Sequence, residues 1–126
     1  MGFTHTETYR IRSYECDIYG HVNNAIYLRY LQETALRASA AAGEYQDYLS
    51  KISRHGWTPY IDIEYFVPLF YGETVEVTYR LLDVQGGLLL QEYQLFKMGK
   101  SEVAAQAMTA SGFLDNDAGP AEKINR

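Results

Sequence analysis

The chain has 126 residues, 47% of them hydrophobic, a formal net charge of −5 and a single cysteine. That length suits one domain able to bury about two thirds of its unfolded surface, and the acidic balance argues against a general nucleic-acid binder, which carries a basic face. Cys16 alone excludes an internal disulfide, and no apolar run approaches the roughly 20 residues that a membrane span needs. Met1 to Glu7 lacks the charged-then-apolar pattern of a secretory signal, so the expected setting is a reducing cytoplasm. Tyrosine is abundant, at 12 residues. A ring with a polar tip serves ligand pockets and interfaces, and equally the surface of a strand.

The elements follow in chain order. Thr6 to Tyr14 partly alternates, with Tyr9 and Ile11 apolar between Arg10 and Arg12, which predicts a half-buried strand. Asp17-Ile18-Tyr19-Gly20-His21-Val22-Asn23-Asn24 then turns the chain, with Gly20 supplying the bend. Ile26, Tyr27, Tyr30, Leu31 and Thr34 recur at helical spacing, and Ala35, Ala38, Ala41 and Ala42 prolong a strong helix former as far as Gly43, a helix stop. Asn23 or Asn24 is a good N-cap for that helix.

Glu44 to Gly56 is polar and reads as a short helix and a loop. Trp57 to Val67 reads as a strand, with Ile61 and Ile63 on one face and Asp62 and Glu64 on the other, and Pro68 ends it. Thr74 to Leu82 alternates clearly, with Val75, Val77, Tyr79 and Leu81 on one face. Gly86-Gly87 signals a hairpin into a strand over Leu88 to Met98, and a turn at Met98-Gly99-Lys100 leads into a last strand over Val103 to Leu114. The tail from about residue 116 is polar and expected to fray. No internal repeat, low-complexity tract or linker divides the chain, so residues 1–126 are expected to form one domain.

The segment from Asp17 to Asn24 carries the chemistry. It joins a carboxylate, a glycine turn and a helix N-terminus within eight residues. A carboxylate attacks a carbonyl or activates water for the attack. The N–H groups that a helix start leaves unpaired stabilise an oxyanion. The plainer alternative is a loop aspartate capping a turn.

These residues resemble the 4-hydroxybenzoyl-CoA thioesterase family of the hotdog fold, through its pattern D-x-x-G-H-V-N-N-x-x-Y-x-x-Y, here Asp17, Gly20 to Asn24, Tyr27 and Tyr30. Ile63-Glu64-Tyr65-Phe66-Val67-Pro68 followed by Tyr71-Gly72-Glu73 is a second, more hydrophobic match, and the resemblance runs from about Thr6 to Asp115. The pattern of one strand, one long helix and about four antiparallel strands also fits ferredoxin-like and cystatin-like folds. The resemblance selects the α+β hotdog fold, an antiparallel sheet wrapped around one long central helix.

The resemblance implies hydrolysis of an acyl thioester, carried by coenzyme A or by the phosphopantetheine of acyl-carrier protein, with no further cofactor. Asp17 becomes nucleophile or general base, and the backbone N–H of Asn24 the oxyanion donor. Gly20, His21, Asn23, Tyr27, Trp57 and Thr58 become substrate-binding candidates. Each has a plainer reading: Gly20 shapes the turn, Asn23 caps the helix, His21 supports the loop, and Tyr27 and Trp57 fill the core.

Family members place the region of Trp57 and Thr58 near the active site of a dimer partner, so a homodimer or homotetramer is expected. Glu33 is a backup carboxylate, or a surface residue paired with Arg29 or Arg37 at helical spacing. His5, His21, His55 and Cys16 lack metal-ligand spacing, so no metal is inferred.

The chain departs from the family just before the strand that begins at Leu88. Many members have a basic, serine-rich segment there that holds the nucleotide phosphates of CoA, whereas Val84-Gln85-Gly86-Gly87-Leu88-Leu89 has no Arg, Lys or Ser. An acyl-carrier protein as donor therefore stays open beside CoA. Two other functions stay open: a hotdog dehydratase or hydratase, whose usual D-x-N-P-x-H pattern is absent, and a non-catalytic module that binds an acyl chain or a partner.

Overall fold

The computed structural model describes residues 3–41, 56–85 and 88–113. Strand β1 (Thr4–Arg10) leads through a 3₁₀ turn at Ser13–Glu15 into helix α1 (Asn24–Ala40). Strands β2 (Gly56–Tyr65), β3 (Thr74–Gln85), β4 (Leu88–Lys97) and β5 (Val103–Phe113) follow. The five strands form one sheet in the order β1-β3-β4-β5-β2, antiparallel at every pair. One helix against one antiparallel sheet is the α+β arrangement expected.

Alternation decides which face of the sheet is buried. On β3, Val75, Val77, Tyr79 and Leu81 are almost wholly enclosed, and on β4 so are Leu89, Gln91, Tyr93 and Leu95. The register sets Tyr79 opposite Tyr93, and Tyr93 opposite Ala107 of β5. Against this face α1 turns Tyr27, Tyr30, Leu31 and Ala38, one or two turns apart along one side of the helix, which join the same core cluster. The polar groups inside it are satisfied: the Gln91 amide donates to the Tyr79 hydroxyl at 2.8 Å and accepts from the Thr109 hydroxyl at 2.9 Å. Such pairing is what makes burial of a polar side chain tolerable.

The boundaries differ from expectation for local reasons. The first strand ends at Arg10 rather than Tyr14, because its partner β3 begins at Thr74, opposite Arg10. Ile11 then plugs the core at 1% exposure. Strand β3 runs on past Leu82, where a register shift between Leu81 and Asp83 resumes the pairing with β4 as far as Gln85. Helix α1 stops at Ala40, and the Ala41 N–H closes on the Ala38 carbonyl. Gly43, the expected short helix and loop, the Gly86-Gly87 hairpin tip and the polar tail lie outside the described residues. Among the described residues, no helix is long and apolar enough to cross a membrane.

Candidate active site

The loop between β1 and α1 is a narrow ribbon held by main-chain bonds. The Asp17 N–H donates to the His21 carbonyl at 2.8 Å, and the Asn23 N–H to the Glu15 carbonyl at 3.0 Å, so Cys16 faces Val22 across an antiparallel bridge. On the other side, the Val22 N–H donates to the Leu69 carbonyl and the Tyr71 N–H to the Gly20 carbonyl, so His21 faces Phe70. Residues 16–17, 21–22 and 69–71 thus run side by side.

Asp17 sits where this ribbon turns. Its carbonyl accepts from the Gly20 N–H at 3.0 Å, and its Oδ1 accepts from the N–H groups of Tyr19 at 2.9 Å and His21 at 3.1 Å. This is the turn-capping role of an aspartate. Gly20 completes it at a φ of +82°, which side-chain-bearing residues rarely adopt. Among the described residues, no hydrogen bond goes to Oδ2 of Asp17. The side chain is solvent-exposed.

Helix α1 begins beside it. Asn23 is the N-cap: its Oδ1 accepts from the Ala25 N–H at 3.0 Å, and its carbonyl accepts from the Ile26 N–H at 2.8 Å. The Asn24 N–H is bypassed by both bonds, and no hydrogen bond among the described residues uses it. It is one of the orphan donors at the positive end of the helix dipole.

Both groups border a cleft of about 510 Å³. Asp17, His21, Asn23 and Asn24 line one side of it, and Tyr27, Tyr65, Phe66 and Pro68 give it an aromatic and apolar wall. Tyr27, only 3% exposed, meets Tyr65 edge-on at 4.9 Å, so it belongs to the core and to the cleft wall at once. Burial pushes its phenol up, against a backbone hydrogen bond at Leu69. His21 meets Phe70 edge-on at 4.7 Å. Lys97 in turn lies over that Phe70 ring and pairs with Glu73 at 3.4 Å.

The Cys16 thiol is pushed up by burial first, then by the neighbouring Glu15 and Asp17 carboxylates. A thiol so held is a poor nucleophile. Glu33 pairs with Arg37 at 2.9 Å rather than facing the cleft.

Of the expected site residues, Asp17, His21, Asn23, Asn24 and Tyr27 come together around the cleft, with Gly20 at the turn behind them. Trp57 and Thr58, expected near the site of a partner subunit, do not join them within one protomer. They lie at the start of β2, eight and seven residues from Tyr65 and thus roughly 23–26 Å away along the strand. Their side chains fall outside those described. Tyr65, Phe66, Val67 and Pro68 line the cleft without having been expected to. Their signal was the second motif, Ile63 to Pro68, in which β2 ends at Tyr65 and Phe66, Val67 and Pro68 follow outside the strand.

Residues 11–125 match the family model of the Thioesterase-like superfamily, and the chain belongs to that superfamily. It is 28% identical over 123 residues to the acyl-acyl carrier protein thioesterase ATL2, chloroplastic, of Arabidopsis thaliana, covering 92% of this chain and 62% of that protein's length. Among solved structures, it is similar to a mutant 4-hydroxybenzoyl CoA thioesterase complexed with 4-hydroxybenzoyl CoA, with a TM-score of 0.78 at 15% identity over 90% of this chain and 86% of the other. It is also similar to SAV2348 from Staphylococcus aureus in complex with CoA, with a TM-score of 0.74 at 20% identity over 87% and 69% of the two chains. The fold is the hotdog fold.

Proposed function

We propose that the protein hydrolyses an acyl thioester to a free acid and a thiol. The observation that carries this is the convergence of an Asp17 carboxylate and an unused Asn24 N–H on one cleft with an apolar wall. The wall takes the acyl group, and the thioester carbonyl points its oxygen at the Asn24 N–H. Asp17 then acts in one of two ways. As general base it takes a proton from water, and the hydroxide adds to the carbonyl carbon. As nucleophile it adds through its own oxygen, and water later cleaves the mixed anhydride. In both, the tetrahedral oxyanion is held by Asn24 and the C–S bond breaks. In the first route the leaving thiolate takes the proton that Asp17 removed from water. In the second it takes a proton from solvent water, whose hydroxide equivalent is consumed when the anhydride is cleaved to the acid and the Asp17 carboxylate. One oxyanion donor is worth about 3 kcal/mol of transition-state stabilisation.

Superfamily membership and the plant acyl-carrier-protein thioesterase support this reaction. The CoA in the staphylococcal structure supports CoA as donor, and the uncharged segment before β4 supports the carrier protein. A second reading, that Asp17 only caps its turn and the cleft merely binds, is favoured by the two N–H groups on Oδ1. Free-thiol release from a panel of acyl-CoAs and acyl-carrier proteins, wild type beside Asp17→Asn, separates the two. Asparagine keeps the turn bonds and removes the charge, so equal turnover would discard the catalytic role.

We further infer a homodimer through β2, which is an outer strand of the sheet with exposed Tyr60, Ile61 and Tyr65. A long unpaired edge with such residues favours pairing. Antiparallel pairing of two β2 strands about Ile61 would bring Trp57 of the partner subunit beside Tyr65. A monomer by light scattering would remove this inference. The lone cysteine supports a reducing compartment.

A further inference from the structure

The 3₁₀ turn at Ser13–Glu15 that precedes Asp17 buries none of its residues. Tyr14 is 79% exposed. The turn lies between Ile11 and Cys16, which pack on the core, and three hydrogen bonds from outside the turn converge on Glu15. Its Oε1 accepts from the Arg12 N–H at 2.9 Å and from the Tyr30 hydroxyl at 2.8 Å. Its carbonyl accepts from the N–H of Asn23, the cap of α1, at 3.0 Å.

Tyr30 is itself immobilised. It is 4% exposed and stacks on Tyr9 at 5.3 Å with the rings 15° apart. The Tyr9 hydroxyl pairs with that of Thr34 at 2.8 Å, and the Thr34 hydroxyl donates to the Tyr30 carbonyl at 2.7 Å. The Tyr30 phenol is pushed up by burial and then by the Glu15 carboxylate, so it stays a donor.

We propose that Tyr30 and Glu15 are positioning residues for thioester hydrolysis: the hydroxyl of Tyr30, fixed inside α1, holds Glu15 and so sets Asp17 against the N-terminus of the same helix. The proposal rests on the thioesterase reading above. Neither residue borders the cleft, so neither touches the acyl group. Their effect reaches the reaction through two residues of chain, from Glu15 to Asp17. Misplacing a reacting group by a fraction of an ångström to an ångström costs rate far more than binding.

Tyr30→Phe tests this, because it keeps the ring and its stacking and deletes one hydroxyl. Expected is a fall in kcat of about tenfold with KM within about twofold of wild type, since geometry and not the cleft wall is disturbed. Glu15→Ala should fall similarly, and Glu15→Gln, which keeps the accepting oxygen, should recover most of that loss. The double variant Tyr30→Phe with Glu15→Ala should be no slower than the slower single variant, because both break one tie. Amide exchange over residues 16–23 should quicken in Tyr30→Phe while β3 and β4 keep their protection.

Unchanged kcat in an active, folded Tyr30→Phe overturns the proposal, as do losses that multiply in the double variant. Unchanged exchange over 16–23 also overturns it. A wild type that releases no thiol from any acyl thioester instead takes down the thioesterase reading, and this proposal with it. The exchange result then still reports whether Tyr30 holds the loop.

Discussion

The sheet's buried face and the Asp17 loop are two solutions to the problem of holding side chains in place. On the buried face, Val75, Val77, Tyr79 and Leu81 are fixed because water is excluded around them, and close packing leaves one arrangement. The loop is exposed at Ile18 (92%) and Tyr19 (80%), on either side of which Asp17 and Gly20 make their turn. Its geometry comes from main-chain hydrogen bonds to Leu69, Tyr71 and Glu15, and from one glycine with positive φ. A site that must admit water and substrate cannot rely on burial, so it relies on backbone. The two regions meet at Tyr27 and Tyr30, whose rings belong to the core and whose neighbours belong to the site.

This division predicts that substitutions in the two regions separate cleanly into losses of rate and losses of stability. The largest effect is expected at Asp17→Asn, where kcat should fall by about 10²–10⁴-fold with an unchanged melting temperature. A variant that melts much earlier would mean that the carboxylate is chiefly structural. Leu81→Ala is the converse. It should cost about 2–5 kcal/mol of unfolding free energy in urea, with kcat near wild type wherever the protein stays folded. A specific loss of kcat there would break the separation.

Gly20→Ala is the intermediate case. Nothing lies within 4 Å of the position its Cβ would take, so the cost is the φ of +82° alone. That is roughly 1–2 kcal/mol, and the turn could instead relax and move Asp17. A loss of kcat exceeding the loss of stability would show that the turn is tuned for geometry. At the bottom of the scale, Arg37→Ala should leave thiol release unchanged, since Arg37 pairs with Glu7 and Glu33 on an exposed face away from the cleft.

Much of this was written in the sequence because its signals are local. Period two over Thr74 to Leu81, the helical spacing of Tyr27, Tyr30, Leu31 and Thr34, and the Asn23 cap each depend on near neighbours in the chain, and each element formed where those signals lay. The Asp17–Asn24 segment was legible for the same reason: carboxylate, turn glycine and helix start are contiguous. Strand ends were not legible. Arg10 ends β1 only because Thr74 begins β3 opposite it, a condition set more than 60 residues away.

The sequence by itself therefore determined the elements, the α+β class and the contiguity of Asp17, Gly20 and the helix start, since propensity, periodicity and spacing are properties of short stretches. Only the tertiary structure decided that Tyr65 to Pro68 would wall the cleft, that Trp57 would sit at the far end of its own strand, and that Glu15 would be grasped by Tyr30. Those facts follow from strand order and register, and from which side of α1 meets the sheet. They are set by how apolar faces are shared across the whole chain, and no stretch of eight residues contains that information.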